Sequence, residues 1–414
     1  MAVGSIYIIG AGIAGLSVAT ALAEKGKRVI VHEAARHGGG RCRSFFENTL
    51  GCRIDNGNHL LLSGNFDVNT YLNRIGAKDS LVGPKKAIYP FVNIEDKKRW
   101  VLDISLGRFP WWVFSSNRRV PKTTAIDYLR AIKLANAKPT DTVGSLLDDG
   151  SYGYRVFWEP LTESLLNTPA QMASANLLWA VIKESLCRGA ASCQPMFVRE
   201  GLSETFVDPA LHYLIKKGTA INFNSRLRDI EFLDKKVKKL IFSNRDEELG
   251  EGDKVILALP PNVVASLLPN LKLPNQYHSI INGHFQSNKL LPGHKFIGAV
   301  GGTVHWVFIR DKVISVTVSA ADNLVDKSSS SLAKILWHDI VQILGLQNSS
   351  IPLNRIIKEK HATFSQNPQQ IGLRPKAQTA WENLFLAGDW TETKLPATIE
   401  GAVRSGRLVS EIIN

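Results

Sequence analysis

Three glycines near the start of the chain have the spacing of a turn that binds phosphate. Gly10, Gly12 and Gly15 directly follow the apolar run Ile6–Ile9, and a stretch with helical character comes after them. In such a turn the first glycine permits the tight bend, the second lets a pyrophosphate approach the backbone, and the third allows helix and strand to pack closely. The free N–H groups at the helix N-terminus then bind phosphate oxygens. This spacing predicts the binding of a dinucleotide.

An acidic residue follows at the position where such sites hold a ribose. Glu33 comes just after the second apolar run, 29–31, and lies eighteen residues beyond Gly15. A carboxylate there accepts hydrogen bonds from ribose hydroxyls and favours a free 2′-OH, so FAD or NAD rather than NADP. The elements that position these residues form a complete β-α-β unit. The alternative is a glycine-rich turn in an unrelated α/β protein.

A glycine run at 38–40, followed by Arg41, separates FAD from NAD. A Gly-Gly-Arg a few residues beyond the acid resembles the extended fingerprint of the superfamily of FAD-dependent amine oxidases and phytoene desaturases. In that superfamily the glycines bring the chain against the dinucleotide, and the arginine neutralises phosphate charge. For Arg41 the alternative is a surface salt bridge. The resemblance predicts FAD.

The stretch 383–406 resembles the closing motif of the same superfamily. Gly388 and Asp389 follow a short apolar run there, and a helix with small residues comes next. The resemblance implies that Asp389 accepts hydrogen bonds from the ribityl hydroxyls. It also implies that a helix beginning near Thr398 directs the positive end of its dipole at the flavin, where it stabilises negative charge on the reduced ring.

These segments together predict an α/β fold. A Rossmann-like FAD-binding domain, a parallel sheet with a β-hairpin, is interleaved with an α+β substrate domain. The predicted FAD-binding segments are 1–65, 196–265 and 376–414. The predicted substrate segments are 66–195, a helix-rich cap, and 266–375, a β-sheet plus a helix. Helices are predicted over 66–76, 123–137, 143–149, 154–172, 174–189, 202–217 and 328–344, and β-hairpins over 228–242 and 298–318.

The resemblance assigns the cofactor to a defined set of residues. Those expected to bind FAD are Gly10, Ala11, Gly12, Ile13, Ala14, Gly15, Glu33, Ala34, Gly39, Gly40, Arg41, Gly57, Asn58, His59, Leu227, Gly388, Asp389, Thr398, Ile399 and Ala402. The Asn- and Gly-rich segment 51–65 contributes to this set, since such a run is costly to order unless its backbone must approach a partner closely. In this fold the partner would be the flavin ring. No metal site is expected, because the histidines do not pair with cysteines or acids at ligand spacing.

Two stretches, 54–65 and 383–406, narrow the resemblance to the hydroxysqualene dehydroxylases of bacterial squalene and hopanoid synthesis. Segments 258–261, 282–285 and 316–322 also fit that family, so the resemblance covers nearly the whole chain. The family usually has alanine where this chain has Gly38. The resemblance implies that reduced FAD converts hydroxysqualene to squalene in an apolar tunnel that excludes water.

Removal of the hydroxyl group requires a proton or a strong hydrogen bond on the leaving oxygen. The candidate donors are Asp55, His59 and His284, and His59 is preferred. Asp55 is otherwise expected to hold its own loop through backbone N–H groups. A buried structural role is the alternative for each histidine.

Three other functions remain open. A carotenoid or phytoene desaturase shares the lipid substrate and the flavin but runs in the oxidative direction. An amine oxidase of this fold usually has a lysine near the reactive flavin nitrogen; segment 280–285 carries none, and Lys289 falls later. The third is a non-catalytic flavin-binding scaffold. The electron donor is expected to be NADPH or a separate reductase, because no second GxGxxG unit is present.

Composition and charge bear on location and partners. The 414 residues are 44% hydrophobic and 21% charged, as in ordinary globular proteins. No apolar run reaches the roughly 18 residues of a membrane span, and the chain shows no signal peptide, so we expect a cytoplasmic protein with reduced thiols. The net charge of +13 comes without a basic stripe suited to nucleic acid, and no such partner is expected.

Basic runs at 85–86, 97–99 and 118–119 accompany the aromatic segment 109–114. Aromatic and basic residues together are typical of proteins that bind an anionic membrane surface. A peripheral position on the inner face of the cell membrane is therefore the alternative location. The competing interpretation is a buried aromatic cluster.

Overall fold

The chain alternates strands and helices throughout the residues that the computed structural model describes, which are 4–287, 295–346 and 350–413. The strands are β1 (Ile6–Ile9), β2 (Val29–His32), β3 (Ser44–Glu47), β4 (Cys52–Asp55), β5 (Leu61–Leu62), β6 (Leu81–Val82), β7 (Ile88–Asn93), β8 (Arg99–Asp103), β9 (Pro195–Val198), β10 (Ala220–Asn222), β11 (Leu227–Leu233), β12 (Lys236–Phe242), β13 (Asp246–Glu248), β14 (Lys254–Leu257), β15 (Tyr277–Gln286), β16 (Lys295–Val300), β17 (Trp306–Arg310), β18 (Val313–Val318), β19 (Asn354–Phe364) and β20 (Leu384–Leu386). The helices are α1 (Ile13–Glu24), α2 (Phe66–Arg74), α3 (Ala125–Leu129), α4 (Ile132–Ala135), α5 (Val143–Leu147), α6 (Glu159–Leu166), α7 (Ala175–Glu184), α8 (Asp208–Lys216), α9 (Pro261–Leu267), α10 (Ser329–Leu344), α11 (Pro368–Ile371) and α12 (Ile399–Ile412).

A five-stranded parallel sheet, in the order β10-β2-β1-β14-β20, forms the base of the molecule. Its strands come from the start, the middle and the end of the chain. Short apolar runs suit this position, because a parallel sheet is covered on both faces. All four residues of β1 are buried. The α/β fold with a Rossmann-like sheet is therefore confirmed.

Helices α1, α2, α8 and α12 cover one face of this sheet. Gly406 of α12 lies so close to α1 that a Cβ would meet the side chain of Ser17 at 2.6 Å. Segment 66–195, which contains α2, is predicted to form the cap. The buried residues Val68 and Leu72 of α2 belong, however, to the same core as α1 and α12. Helix α2 therefore packs against the parallel sheet.

The second large sheet has seven strands in the order β19-β15-β18-β17-β16-β7-β8. It is antiparallel except where β7 meets β16. Helix α10 covers one face; Ser328 caps its N-terminus, and Gly345, in a left-handed conformation, ends it. The helix predicted over 328–344 is thus confirmed, as is the hairpin turn at 310–312. The single strand predicted over 298–309 is wrong, because the chain turns at Gly301 (φ +76°) and divides it.

The cap consists of shorter helices than the periodicity predicts. A π-helical turn over Tyr154–Trp158 leads into α6, which ends at Leu166. Asn167 there is left-handed (φ +45°), and Pro169 cannot continue a helix, so the predicted helix over 154–172 stops early. The predicted helix over 123–137 is divided into α3 and α4. No helix in the described part of the chain is long and apolar enough to cross a membrane.

Candidate functional site

The glycine turn after β1 has one packed side and one open side. A Cβ at Gly15 would lie 1.9 Å from the carbonyl oxygen of Gly10, so no side chain fits between helix and turn. Gly10 itself is at φ +106°, which favours glycine. At Gly12, in contrast, a Cβ would meet nothing within 4 Å. This open space lies at the N-terminus of α1, where a phosphate can approach the backbone.

Glu33 lies directly beside this turn. Its Oε2 accepts from the N–H of Ala11 at 2.8 Å, and its Oε1 accepts from the N–H of Ala35 at 2.8 Å. The carboxylate is thereby fixed at the end of β2, next to Ala34. The segment that precedes Leu227 runs alongside, since the N–H of Ser225 donates to the carbonyl of Glu33 at 2.9 Å.

The Gly-Gly-Arg segment joins the glycine turn to the closing motif. The N–H of Gly39 donates to the carbonyl of Ala11 at 2.8 Å. Arg41 donates from Nη2 to both carboxylate oxygens of Asp389 at 2.8 Å, and from Nη1 to the carbonyl of Ala362. Asp389 raises the pKa of the Arg41 guanidinium. Two residues 348 positions apart are thus in contact, and the Arg41 side chain keeps 47% of its surface exposed.

An arginine that the sequence analysis missed holds the closing loop. Arg374 is buried and donates to the carbonyls of Asp389, Thr391 and Leu395 and to the hydroxyl of Thr393. Burial lowers its pKa to about 10. No local pattern marks this residue, because all four acceptors lie 15 to 21 positions away.

Helix α12 begins after this loop. Thr398 caps it by accepting from the N–H of Gly401 at 3.1 Å, which confirms the predicted start of the helix. Ile399 is buried, and Ala402 is half-buried on the following turn. The neighbouring Glu400 points the other way and accepts from two N–H groups at the start of α2.

The loop 55–59 lies against the seven-stranded sheet. A Cβ at Gly57 would meet the amide of Asn282 on β15 at 3.1 Å. Asn58 donates from Nδ2 to Thr317 Oγ1 on β18 at 3.2 Å. His59 is exposed, and desolvation lowers the pKa of its imidazole to about 4. Its imidazole is neutral at pH 7.

The other two candidate proton donors are held by hydrogen bonds to neighbouring elements of the fold. Asp55 Oδ1 accepts from the N–H of Leu202 at 2.9 Å, and Oδ2 accepts from Arg310 at 3.2 Å. His284 is buried on β15, with Nδ1 2.8 Å from Ser315 Oγ and a pKa lowered by burial to about 4. His284 is thus buried in the seven-stranded sheet, as expected. Among the residues that the structure describes, Asp55 does not hold its own loop through backbone N–H groups, because the one N–H that it accepts from belongs to Leu202 in a distant segment.

An aromatic face forms the end of the same sheet surface, and it consists of Tyr89, Phe91, Phe296 and Trp306. The ring centroids of Phe91 and Trp306 are 5.5 Å apart, and those of Phe296 and Trp306 are 6.1 Å apart. The residues between these rings along the strands point to the opposite face of the sheet, where they form a core with α10. Arg310, which contacts Asp55, lies four residues after Trp306 on β17, or about 13 Å away. The sheet thus presents polar groups near loop 55–59 and aromatic rings beyond it.

Comparison with known proteins agrees with this site. The family model for flavin containing amine oxidoreductases matches residues 13–414. A hydroxysqualene dehydroxylase of Zymomonas mobilis is 43% identical over 406 residues, which are 98% of both chains. The chain belongs to the hydroxysqualene dehydroxylase family. A hydroxysqualene dehydroxylase of Rhodopseudomonas palustris is 41% identical, with 99% of this chain and 98% of the relative covered.

More distant proteins share the fold. A 15-cis-phytoene desaturase of an Oncidium hybrid is 21% identical over 99% of this chain and 77% of the relative. The solved structure of a putrescine oxidase bound to putrescine superimposes with a TM-score of 0.72 at 17% identity, covering 99% of each chain. These relations show the architecture alone. The family match and the closer relatives make this chain an FAD-dependent oxidoreductase. The open glycine turn, Glu33 and the Arg41–Asp389 pair are residues suited to FAD.

Proposed function

We propose that this protein reduces hydroxysqualene to squalene. The observation that carries the proposal is the 43% identity with a hydroxysqualene dehydroxylase along both chains. When bound, FAD in its reduced form supplies the hydride. The C–O bond breaks, the hydroxyl leaves as water with a proton from the protein, and the carbon accepts the hydride. The aromatic face stabilises the developing positive charge through its ring faces and excludes water that would recapture the cation.

The cofactor is proposed to lie between the glycine turn and loop 55–59. The turn and α1 bind the pyrophosphate, Glu33 the adenosine ribose, and Asp389 the ribityl chain, while the start of α12 faces the flavin ring. Ala34 and Leu227 contact the adenosine end. This arrangement is supported by the space above Gly12, where no atom lies within 4 Å of a built Cβ.

His59 is proposed to act at the reacting end as a hydrogen-bond donor that orients the hydroxyl. Its lowered pKa keeps the imidazole neutral at pH 7, so it donates through N–H and carries no charge. Exchanging His59→Phe should lower single-turnover formation of squalene by about tenfold or more. The matched control is His212→Phe, an exposed histidine on α8. Turnover of the His59 variant at the rate of the control would exclude this role.

The decisive experiment uses the holoenzyme with chemically reduced flavin under anaerobic conditions. Hydroxysqualene, squalene and phytoene are each supplied, and products are identified by mass spectrometry. Formation of squalene from hydroxysqualene supports the proposal. A parallel incubation with oxidised flavin tests the opposite direction, and dehydrogenation of phytoene there, without formation of squalene by reduced flavin, would indicate a desaturase. Bound flavin that is unreactive with all three compounds in both redox states would indicate a scaffold. Amine oxidation is not proposed; Lys289, which bears on it, lies outside the described residues.

The electron donor is proposed to be NADPH or a separate reductase. Mixing oxidised holoenzyme with NADPH in a stopped-flow spectrometer distinguishes them. Rapid bleaching of the flavin absorbance indicates direct reduction. Bleaching only after a flavin or ferredoxin reductase is added indicates a protein partner.

We also propose that a surface patch docks on an anionic membrane. The patch consists of Leu106, Phe109, Trp111 and Phe114, whose side chains are 50–83% exposed, while the neighbouring Trp112 and Val113 are buried. The predicted aromatic segment is thus divided between surface and core. Basic residues surround the patch: Arg108 lies within it, and Gly189, next to Arg188, packs against Gly107. The Lys97–Arg99 run lies at the start of β8, and the patch begins three residues beyond the end of this strand.

Sedimentation with vesicles tests this surface. Wild-type protein should bind vesicles that contain phosphatidylglycerol and release at high salt, because the basic residues supply part of the affinity. The double variant Trp111→Ser/Phe114→Ser should lose most of the binding, since both rings insert at the interface. The control pair Ile215→Ser/Leu233→Ser removes exposed apolar residues elsewhere. Equal loss in both double variants would refute the patch.

A further inference from the structure

A carboxylate of the cap meets the aromatic face of the substrate sheet. Glu163 lies on α6, and the next residue, Ser164, accepts a hydrogen bond from Trp306 Nε1 at 3.1 Å. Helix α6 therefore lies over the aromatic face at this point. The side chain of Glu163 keeps 25% of its surface exposed, so its carboxylate is accessible.

A histidine lies beside this carboxylate. His305 Nε2 is 3.9 Å from Glu163 Oε2, which is longer than a direct hydrogen bond. The N–H of Ser319 donates to His305 Nδ1 at 3.3 Å, which makes Nδ1 an acceptor and leaves the proton on Nε2. The protonated nitrogen of His305 is therefore the one that lies beside the carboxyl group of Glu163.

The pair is connected to the loop that carries His59. The backbone N–H of His305 donates to the carbonyl of Thr317 at 3.1 Å, and the hydroxyl of the same threonine accepts from Asn58 at 3.2 Å. Thr317 thus links the His305–Glu163 pair to Asn58, the residue that precedes His59. The reacting end of the site and the aromatic face meet here.

The charges around Glu163 favour a protonated acid. Burial and the neighbouring carboxylate of Glu159 raise its pKa to about 7. Burial lowers the pKa of His305 to about 4, so the imidazole brings no positive charge. Tyr154, on the preceding turn, is neutral as well, since burial and nearby carboxylates raise its pKa. At pH 7 the carboxyl group of Glu163 can therefore hold a proton and donate it. The neutral imidazole of His59 is a much weaker acid.

We infer that Glu163 is the general acid of the proposed reaction and that His305 is its positioning residue. This inference rests on the proposed function. The carboxyl proton of Glu163 passes to the hydroxyl oxygen as the C–O bond breaks, and water leaves. The hydride from reduced FAD supplies two electrons to the carbon, so the substrate is reduced, the flavin is oxidised, and the carboxylate takes up a proton from solvent afterwards.

The test compares Glu163→Gln with wild type in single turnovers of reduced holoenzyme. Loss of the acid should lower the rate by about 100-fold or more at pH 7. The wild-type rate should fall about tenfold per pH unit above 7, as the carboxyl group loses its proton, whereas the Gln variant should show no such decline. Glu159→Gln should move the wild-type decline to lower pH, because removal of a neighbouring negative charge lowers the pKa of Glu163.

A second measurement is independent of turnover. The infrared band of a protonated carboxyl group should lose a component that titrates near pH 7 in Glu163→Gln, with FAD content unchanged in both proteins. The component that remains belongs to the buried Glu400, whose pKa is also raised to about 7. Glu163→Asp, which retains the acid, should keep the alkaline decline and part of the rate, and it replaces the Gln variant should that variant fail to fold.

The two proposals fail in different ways. A wild-type rate and pH profile in Glu163→Gln, with squalene still formed, would overturn this inference and leave the proposed function intact. Absence of squalene from wild-type protein with fully reduced flavin would overturn both. A carboxyl band unaffected by the Gln exchange would also overturn the assignment of Glu163.

Discussion

Alanine at Gly15 and alanine at Gly12 of the phosphate-binding turn should have different main effects, on stability in the first case and on FAD affinity in the second. At Gly15 the new Cβ would lie 1.9 Å from the carbonyl oxygen of Gly10, where an ordinary contact begins at 3.4 Å. The backbone must therefore separate by about 1.5 Å, although the N–H of Gly10 is bonded to His32 at 2.7 Å. At Gly12 the Cβ meets no atom within 4 Å, and φ is −71°, which alanine adopts without strain.

The expected magnitudes follow from these contacts. Overpacking of this kind costs about 3 kcal/mol, and the better helix propensity of alanine returns about 1 kcal/mol, so Gly15→Ala should lose about 2 kcal/mol of unfolding free energy. Gly12→Ala should lose less than about 1 kcal/mol, the cost of alanine at a helix N-cap. FAD affinity should fall in both, and in Gly12→Ala it should fall by about tenfold or more, because the methyl group occupies the approach of the pyrophosphate.

Urea unfolding of the flavin-free protein measures the first effect, and titration of flavin fluorescence measures the second. The reasoning would be refuted if Gly15→Ala unfolded at the wild-type urea concentration. It would also fail if Gly12→Ala bound FAD with wild-type affinity, since the open side of the turn would then not face the cofactor.

Three further outcomes are expected. Asp389→Asn should weaken FAD binding by about tenfold or more while Asp326→Asn, an exposed partner of Lys360, should not; equal affinities measured by equilibrium dialysis would contradict the assignment. Burial lowers the pKa of His32 from 6.5 to about 4, so its contribution to stability is fully present above pH 6.5 and about 3 kcal/mol is lost as the pH falls to 4; urea unfolding of wild type and His32→Asn across this range should show a steeper pH dependence in wild type. Ser328→Ala should cost about 1 kcal/mol of unfolding free energy through loss of the N-cap of α10, and Ser330→Ala should cost less, as urea unfolding of both will show.

Most features predicted from the sequence depend on neighbours within a few residues. The glycine turn, the helix over 328–344 and the β-hairpin over 228–242 are such cases, and all three occur in the structure. The divided helices of the cap show the limit. Periodicity predicts a helix over 154–172. It cannot predict the left-handed conformation of Asn167, because the side chain of Asn167 is hydrogen-bonded to distant residues, Thr363 and the backbone of Ala320.

In the candidate site, even more of the contacts join distant residues and cannot be predicted from the local sequence. Arg374 and Asn282 carry the closing loop and the 55–59 loop, and neither has a local signature. Their partners lie on other elements, so only the folded chain brings them into contact. Asp55, in contrast, lies in a segment whose composition already indicated a tightly bonded loop.

The sequence by itself determined the cofactor class, since the backbone conformations and missing side chains that a dinucleotide requires are local properties of Gly10, Gly12 and Gly15. It also determined the family, because similarity runs along the whole chain. Only the tertiary structure decided which charged and polar groups meet. Arg41 contacts Asp389 across 348 positions, and Glu163 of segment 66–195 lies beside His305 of segment 266–375. Such pairs depend on how distant elements of the chain pack together, and no pattern of neighbouring residues encodes this packing.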